Sequence, residues 1–263
     1  MTNGFKNLKV VLLAGGFGTR LAEYTDLILK PMVKIGNKPI LWHIMKIYSY
    51  FGFNDFIIAL GYKSEIIKSY FLDYINNSAD ISVDLSNGEI KTLKKTNLNW
   101  KVTLVDTGLN SMTGGRIKRL EEYIGNESFL CTYGDGVSDI NINELVKFHK
   151  SNSKIATIST VRPSARFGEL IVDGEEVKSF KEKPRTQQGW INGGFFVFNP
   201  EIFKYLKDDK TVLEEYPLEK LASENQLSAF KHEGFWQCMD NVRDRNFLQD
   251  LWDRDMANWK LWN

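Results

Sequence analysis

Cysteine is nearly missing from this chain of 263 residues: there are two, Cys131 and Cys238. Two cysteines cannot build a disulfide framework, and both read as free thiols of a reducing, cytoplasmic compartment. Proline is sparse, six in all, and no Pro-rich linker divides the chain. Net charge is also lacking, with 34 Lys and Arg against 33 Asp and Glu, a formal +1. That balance excludes a protein that coats a polyanion by summed positive charge, and with it nucleic acid as a partner. It leaves room for a small anion held by a few local cations. Long apolar runs are absent: Val10–Ala14 covers five residues, and no run approaches the roughly 20 that a membrane span needs. Neither a membrane partner nor a signal segment is expected. Histidine is scarce, and His43, His149 and His232 belong to no evident catalytic motif. There is no Cys/His cluster of the kind that binds zinc.

What is present is apolar surface, 43% of residues with 13% aromatic, enough for a core and too much for general disorder. Short continuous runs, Val10–Ala14, Phe56–Leu60, Val102–Val105, Phe129–Thr132, Ile155–Val161 and Phe195–Phe198, suit strands buried on both faces. Helical-period stretches separate them. Ile40–Phe51 puts Ile40, Leu41, Ile44, Met45, Ile47, Tyr48 and Phe51 on one face. Ser64 is placed to cap a helix through Ile75, and Asn141 or Asn143 to cap one ending near His149–Lys150. His43, on the apolar face, reads as a core histidine. Strand alternating with helix is the grammar of an α/β fold. Two segments break it: Ile81–Leu85 before Asn87-Gly88, and Glu169–Val172 with Val177–Phe180 around Asp173-Gly174, both read as hairpins. The helical-period C-terminus carries Trp252, Trp259 and Trp262, which either pack back on the core or form an oligomer interface. One domain with β insertions fits better than two.

The most informative stretch follows the first strand: Leu12-Leu13-Ala14-Gly15-Gly16-Phe17-Gly18-Thr19-Arg20-Leu21. Glycines there let backbone N–H groups approach and cradle phosphate oxygens. A P-loop needs Gly-Lys-Ser/Thr, and the loop offers Gly-Thr-Arg. A dinucleotide fingerprint needs a third glycine where Leu21 stands, and an acid near the end of the second strand, which runs into Gly61-Tyr62-Lys63. A loop that wraps a nucleoside triphosphate with backbone amides and one arginine is what remains. Arg20 is suited to bidentate phosphate contact. Lys30 is either the next cation of the site or a solvated loop lysine.

With Leu-Ala-Gly-Gly-x-Gly-Thr-Arg-Leu and then Lys30-Pro31-Met32, the chain resembles the sugar nucleotidyltransferases. Pro39–Tyr48, Trp100–Gly108, Ser111-Met-Thr-Gly-Gly-Arg116, Tyr133-Gly-Asp-Gly136, Ile191-Asn-Gly-Gly-Phe-Phe196 and Phe235-Trp-Gln narrow the resemblance. Within that family they are similar to the glucose-1-phosphate cytidylyltransferases, which make CDP-glucose and pyrophosphate from CTP and glucose 1-phosphate. The match runs from about Lys9 to the end. It implies a single Rossmann-like domain with a mixed, mostly parallel central sheet flanked by helices, Mg²⁺ dependence and a homo-oligomer, a trimer or hexamer. It also implies a nucleotide-binding half over about 8–140, a sugar-phosphate half over about 141–242 and a C-terminal helical segment over about 243–263.

The resemblance further implies roles. Leu13, Ala14, Gly15 and Gly16 would hold base and ribose, and Gly18, Thr19 and Arg20 the triphosphate. Lys30 would sit on the reacting phosphates. Ser111, Arg116 and Gly134 would contact the nucleotide, with Arg116 a candidate for a neighbouring subunit's site. Asp135 and Asp240 would bind Mg²⁺, while Gly168, Glu182, Lys183 and Asn192 would face the sugar phosphate. The chain departs from the family at Ile28-Leu29, where a cation and then proline usually precede Lys-Pro-Met, and at Cys238, more often proline.

The residue chemistry agrees with such a reaction. A phosphate whose second pKa is near 6 is already ionised at neutral pH, so the attack needs no general base. It needs relief of charge repulsion and in-line positioning, and two carboxylates at strand ends, Asp135 and Asp240, suit a hard metal. Glu182, between Lys181 and Lys183, is either a ligand for sugar hydroxyls or a surface charge. A glycosyltransferase would want Asp-x-Asp, and Asp135-Gly136-Val137-Ser138-Asp139 has the wrong spacing. A cytidylyltransferase for another phosphorylated or phosphonate acceptor, and a catalytically silent nucleotide sensor, are the other readings.

Overall fold

The computed structural model describes residues 8–17, 29–94, 98–162, 169–173, 176–181 and 189–262. Six of the continuous apolar runs form strands of one sheet: β1 Val10–Leu13, β2 Asp55–Leu60, β3 Lys101–Asp106, β4 Phe129–Tyr133, β5 Ala156–Val161 and β6 Ile191–Phe198. A seventh, β7 Leu227–His232, was not expected from the sequence. It is an edge strand whose residues alternate in burial, so it lacks the unbroken apolarity that betrays a strand covered on both faces. The order across the sheet is β7-β5-β6-β4-β1-β2-β3. β1 pairs in parallel with β2 and β4, β2 with β3, and β5 with β7. β6 runs antiparallel to both neighbours, which makes the sheet mixed but mostly parallel.

Period-2 alternation decides which layer each side chain enters. Val10, Leu12, Phe56, Ile58, Leu130 and Val197 point to one layer, where the helix Ile40–Tyr50 brings Ile40, Leu41, Ile44, Ile47 and Tyr48. Val11, Ile57, Cys131, Phe196 and Phe198 point to the other, against Ile117, Leu218 and Leu221. Each buried Leu or Phe contributes about 1.5–3 kcal/mol by leaving water.

The helix expected from Ser64 to Ile75 is two pieces, Ser64–Leu72 and Tyr74–Ser78. Ser64 is its first residue and not its cap; Lys63, with φ 50°, precedes it. Asn141 does cap Ile142–Asn152, its side chain accepting from the Glu144 N–H at 3.1 Å. Both hairpins are present, Asp80–Asp84 with Glu89–Lys94 and Glu169–Asp173 with Glu176–Lys181. The last helix is Val242–Asp253, after which the chain turns back irregularly. Trp259 is fully buried in the first layer, with its indole N–H donating to His43 Nδ1 at 3.4 Å. His43 Nε2–H in turn donates to the Ile35 carbonyl at 2.9 Å. Burial lowers the His43 pKa to about 4, so this is a neutral core histidine. Among the described residues, no helix is long and apolar enough to cross a membrane.

The carboxyl ends of β1, β2, β3 and β4 share one edge of the sheet. The chain steps from β1 out to β2 and β3 on one side, then returns to β4 on the other. Ligands of open α/β sheets sit in the crevice at such a reversal of strand order.

Candidate active site

A cleft of about 620 Å³ opens at that edge, floored by Leu13–Gly16, Lys30, Tyr133, Gly134 and Asp135, and walled by Leu109–Thr113. Its glycine loop is pinned by backbone bonds: Ala14 N–H donates to the Ala59 carbonyl at 3.1 Å and Tyr62 N–H to the Gly15 carbonyl at 3.2 Å. Arg116 completes the brace. The residue is 4% exposed, and its guanidinium donates to the carbonyls of Leu60 (3.0 Å), Gly108 (2.8 Å), Gly15 (2.9 Å) and Leu109 (3.2 Å), and to Thr107 Oγ1 (2.8 Å). Burial lowers its pKa from that of free arginine without threatening its charge. The glycines beside it are required by contact: a Cβ on Gly15 would lie 2.3 Å from the guanidinium, and one on Gly61 2.5 Å from it. Arg116 therefore lines the cleft while all its described hydrogen bonds go to this chain's own loop ends. Sequence gave it a ligand role; the structure adds a bracing one. Ser111 is buried, donating from Oγ to the Thr107 carbonyl at 2.5 Å. Gly134 presses close to β1, where a Cβ would come within 3.0 Å of the Leu13 carbonyl.

The second corner holds the acids. Gly136–Ser138 pairs antiparallel with Trp236–Cys238, matching Cys238 to Gly136. Asp135 precedes one strand of that ladder and Asp240 follows the other, so residues far apart in sequence meet at its end. Met239 N–H to the Asp135 carbonyl, 2.9 Å, tightens the junction. Asp240 N–H donates to Asp244 Oδ2 at 2.9 Å, which fixes its backbone against the first turn of Val242–Asp253. Lys30, at the head of the short Lys30–Met32 helix, reaches between the two acids, 2.6 Å from Asp135 Oδ2 and 2.6 Å from Asp240 Oδ1. Burial works against its charge, but Asp135 and Asp240 outweigh it and hold the Lys30 pKa above the ordinary lysine value. The Cys238 thiol, 3.5 Å from Asp240 Oδ2, is pushed up to about 12 by burial and then by Asp240 and Asp135.

A smaller hollow of about 240 Å³ adjoins the cleft, sharing Tyr133, Asp135 and Asp240 with it and adding Asn192, Gly194 and Trp236. Asn192 donates from Nδ2 to Tyr133 Oη at 3.1 Å. Tyr133 Oη donates to Glu214, whose other oxygen accepts from Thr113 Oγ1 at 2.6 Å. Burial, then Glu214, pushes the Tyr133 pKa far up, so the phenol keeps its proton.

The structure thus brings Leu13, Ala14, Gly15, Gly16, Lys30, Ser111, Arg116, Gly134, Asp135 and Asp240 to one cleft, and Asn192 to its neighbour. Gly18, Thr19, Arg20, Gly168, Glu182 and Lys183, and with them Ile28, lie outside the described residues. Tyr133, Thr113 and Glu214 were not singled out from sequence. Tyr133 stands inside a motif that drew attention to Asp135, but Glu214 has no local signal.

Comparison with known proteins follows the same lines. The family model described as nucleotidyl transferase matches residues 9–244. A glucose-1-phosphate cytidylyltransferase of Salmonella typhi is 49% identical over 256 residues, 97% of this chain and all of that protein. A probable glucose-1-phosphate cytidylyltransferase of Bacillus subtilis is 44% identical over the same coverage. Among solved structures, HddC from Yersinia pseudotuberculosis complexed with GMP-PN superimposes with a TM-score of 0.69 at 27% identity, covering 93% of this chain and 99% of the other.

Proposed function

The chain belongs to the nucleotidyl transferase family, and from that premise we infer that it transfers the cytidylyl group of CTP to glucose 1-phosphate, giving CDP-glucose and pyrophosphate. The observation that carries a transfer reaction is the Lys30–Asp135–Asp240 corner, placed where a nucleotide-sized cleft meets a smaller hollow. The choice of cytosine and glucose rests on the relatives at 49% and 44% identity.

CTP takes the larger cleft, its base and ribose along Leu13–Gly16 with Ser111 and Gly134 beside them; Gly18, Thr19 and Arg20 are assigned to its phosphates on the family resemblance. Glucose 1-phosphate takes the smaller hollow, facing Asn192; Gly168, Glu182 and Lys183 are assigned to it on the family resemblance alone. The two phosphates meet at Lys30. The acceptor phosphate is itself the nucleophile and is ionised at neutral pH. Among the described residues no histidine lines either hollow. Lys30 keeps its proton and offsets charge where two polyanions approach, while the braced glycine loop holds the α-phosphate in line.

Two carboxylate oxygens that already converge on one cation at 2.6 Å form a hard, anionic donor pair that fits a divalent ion. Asp135 and Asp240 would hold Mg²⁺. When bound, it neutralises phosphate charge and polarises the reacting phosphorus. We also assign a homo-oligomer of three or six copies. The hairpin Asp80–Lys94 supports it, since Val83, Leu85, Ile90 and Leu93 are all exposed there, more apolar surface than an isolated hairpin keeps in water. Light scattering that gave the mass of one chain would reject the oligomer.

Purified protein should release pyrophosphate from CTP only when glucose 1-phosphate and Mg²⁺ are both present. Release no higher than the control without acceptor, by folded and Mg²⁺-supplied protein, would remove the glucose assignment.

A further inference from the structure

Glu214 lines neither hollow, yet one of its carboxylate oxygens holds Thr113 of the larger cleft and the other holds Tyr133, which both hollows share and which is bonded to Asn192 of the smaller one. We propose that Glu214 is a positioning residue that ties the nucleotide cleft to the acceptor hollow, through Thr113 on one side and through Tyr133 and Asn192 on the other. This rests on the cytidylyl-transfer reading above.

The direction of every hydrogen bond in the chain is fixed from its two ends. Gly194 N–H donates to Asn192 Oδ1 at 2.7 Å, which turns the Asn192 amide nitrogen toward Tyr133. Tyr133 Oη therefore accepts from Asn192, and its own proton points at Glu214. At the other end, Leu213 N–H donates to Thr113 Oγ1 at 2.9 Å. The Thr113 hydroxyl proton is then left to point at the second Glu214 oxygen. Two hydroxyl donors thus converge on one side chain, one at each of its two carboxylate oxygens. Backbone geometry supports the arrangement: Gly194 has φ 79°, and a Cβ there would meet the Tyr133 ring at 2.7 Å. The strand that carries Asn192 is thereby allowed to lie against the tyrosine. Glu214 sits in the turn before the helix Tyr216–Ser223, a place whose side chain would otherwise face water.

Steady-state kinetics of three near-isosteric variants tests the tie, with each KM measured at saturating co-substrate. Glu214→Gln keeps one acceptor and converts the other to a donor, so both KM values should rise about tenfold, in line with loss of a hydrogen bond to a charged group. Tyr133→Phe keeps the ring that both hollows share and removes the hydroxyl held by Asn192 and Glu214, so it should raise KM for glucose 1-phosphate about tenfold and KM for CTP by less. Thr113→Val should do the reverse. Glu214→Gln combined with Tyr133→Phe should raise KM for glucose 1-phosphate no further than the more damaging single change, because the two share one arm. A Glu214→Gln protein with a lower urea midpoint and unchanged KM values would make Glu214 a stability residue only and overturn the proposal. So would Tyr133→Phe and Thr113→Val moving both KM values alike. If Glu214→Gln does not fold, the other two variants, which alter no charge, decide the question. If the wild type releases no pyrophosphate from CTP and glucose 1-phosphate, the functional reading fails; the same split is then read in dissociation constants for CTP and glucose 1-phosphate by calorimetry.

Discussion

Two corners of the cleft each bury a cation, and they treat it in opposite ways. At the first, Arg116 spends its guanidinium on four backbone carbonyls and one hydroxyl, all neutral and all part of the ends of β1, β2 and β3. At the second, Lys30 lies between two carboxylates that are about a quarter exposed. Neutral acceptors fixed in the backbone cannot move or change partner, so the first cation is part of the frame. Carboxylates on the rim of a cleft can exchange a lysine for another cation or for a phosphate-bound ion, which is why we assign the second to the reaction. Charge alone does not distinguish the two roles; the acceptors do.

The comparison can be broken by removing one member at a time. The largest effect is expected from Asp135→Asn, which still accepts from Lys30 but gives up a charged metal ligand. Turnover should fall on the order of 10³-fold with the circular dichroism spectrum unchanged, and near-normal turnover would take Asp135 out of the reaction. Next is Arg116→Met, which removes five hydrogen bonds from a buried corner and leaves the Gly108 and Leu109 carbonyls without the donor they have here. Urea denaturation should show a loss of about 3 kcal/mol. A protein of wild-type stability that no longer binds CTP would instead make Arg116 a ligand first and a brace second. Lys30→Met should invert that pattern: turnover down about 10²-fold, with a smaller loss of stability than Arg116→Met, because Asp135 and Asp240 keep about a quarter of their surface in water. The smallest difference should appear in acid. His43 has a folded pKa near 4 against 6.5 when free. The unfolded chain therefore takes up a proton that the folded one refuses, and stability drops by up to about 3 kcal/mol as pH falls from 6.5 to 4. Neither corner contains a histidine, so between pH 6.5 and 5.5 the Arg116→Met and wild-type slopes should agree within about 0.5 kcal/mol per pH unit; divergence would mean that the corners communicate with the core.

Much of this was legible in the sequence, for reasons that also mark where it stopped. Strands covered on both faces leave unbroken apolar runs, which is how Val10–Leu13, Asp55–Leu60 and Phe129–Tyr133 declare themselves. Leu227–His232, on an edge, does not. Asp135 stands out between two glycines at a strand end. The brace made by Arg116 is invisible because its acceptors are carbonyls, which every residue has. The tie from Tyr133 to Glu214 spans 81 positions and belongs to no local pattern. Lys30 is ambiguous in sequence because the two acids that hold it, Asp135 and Asp240, stand 105 and 210 residues away.

That separation has a consequence for the order in which the molecule is made. Asp240 reaches Lys30 only because Trp236–Cys238 adds to Gly136–Ser138, and Trp259 then closes over His43 near the start of the chain. Contacts between such distant segments form late, since a long loop must close before they are rewarded. A ribosome that has delivered residues 1–200 has already released the glycine loop and Lys30, but not yet the second acid. The acidic corner that we assign to catalysis is therefore completed only when the stretch around Asp240 has emerged, after the glycine loop and Lys30.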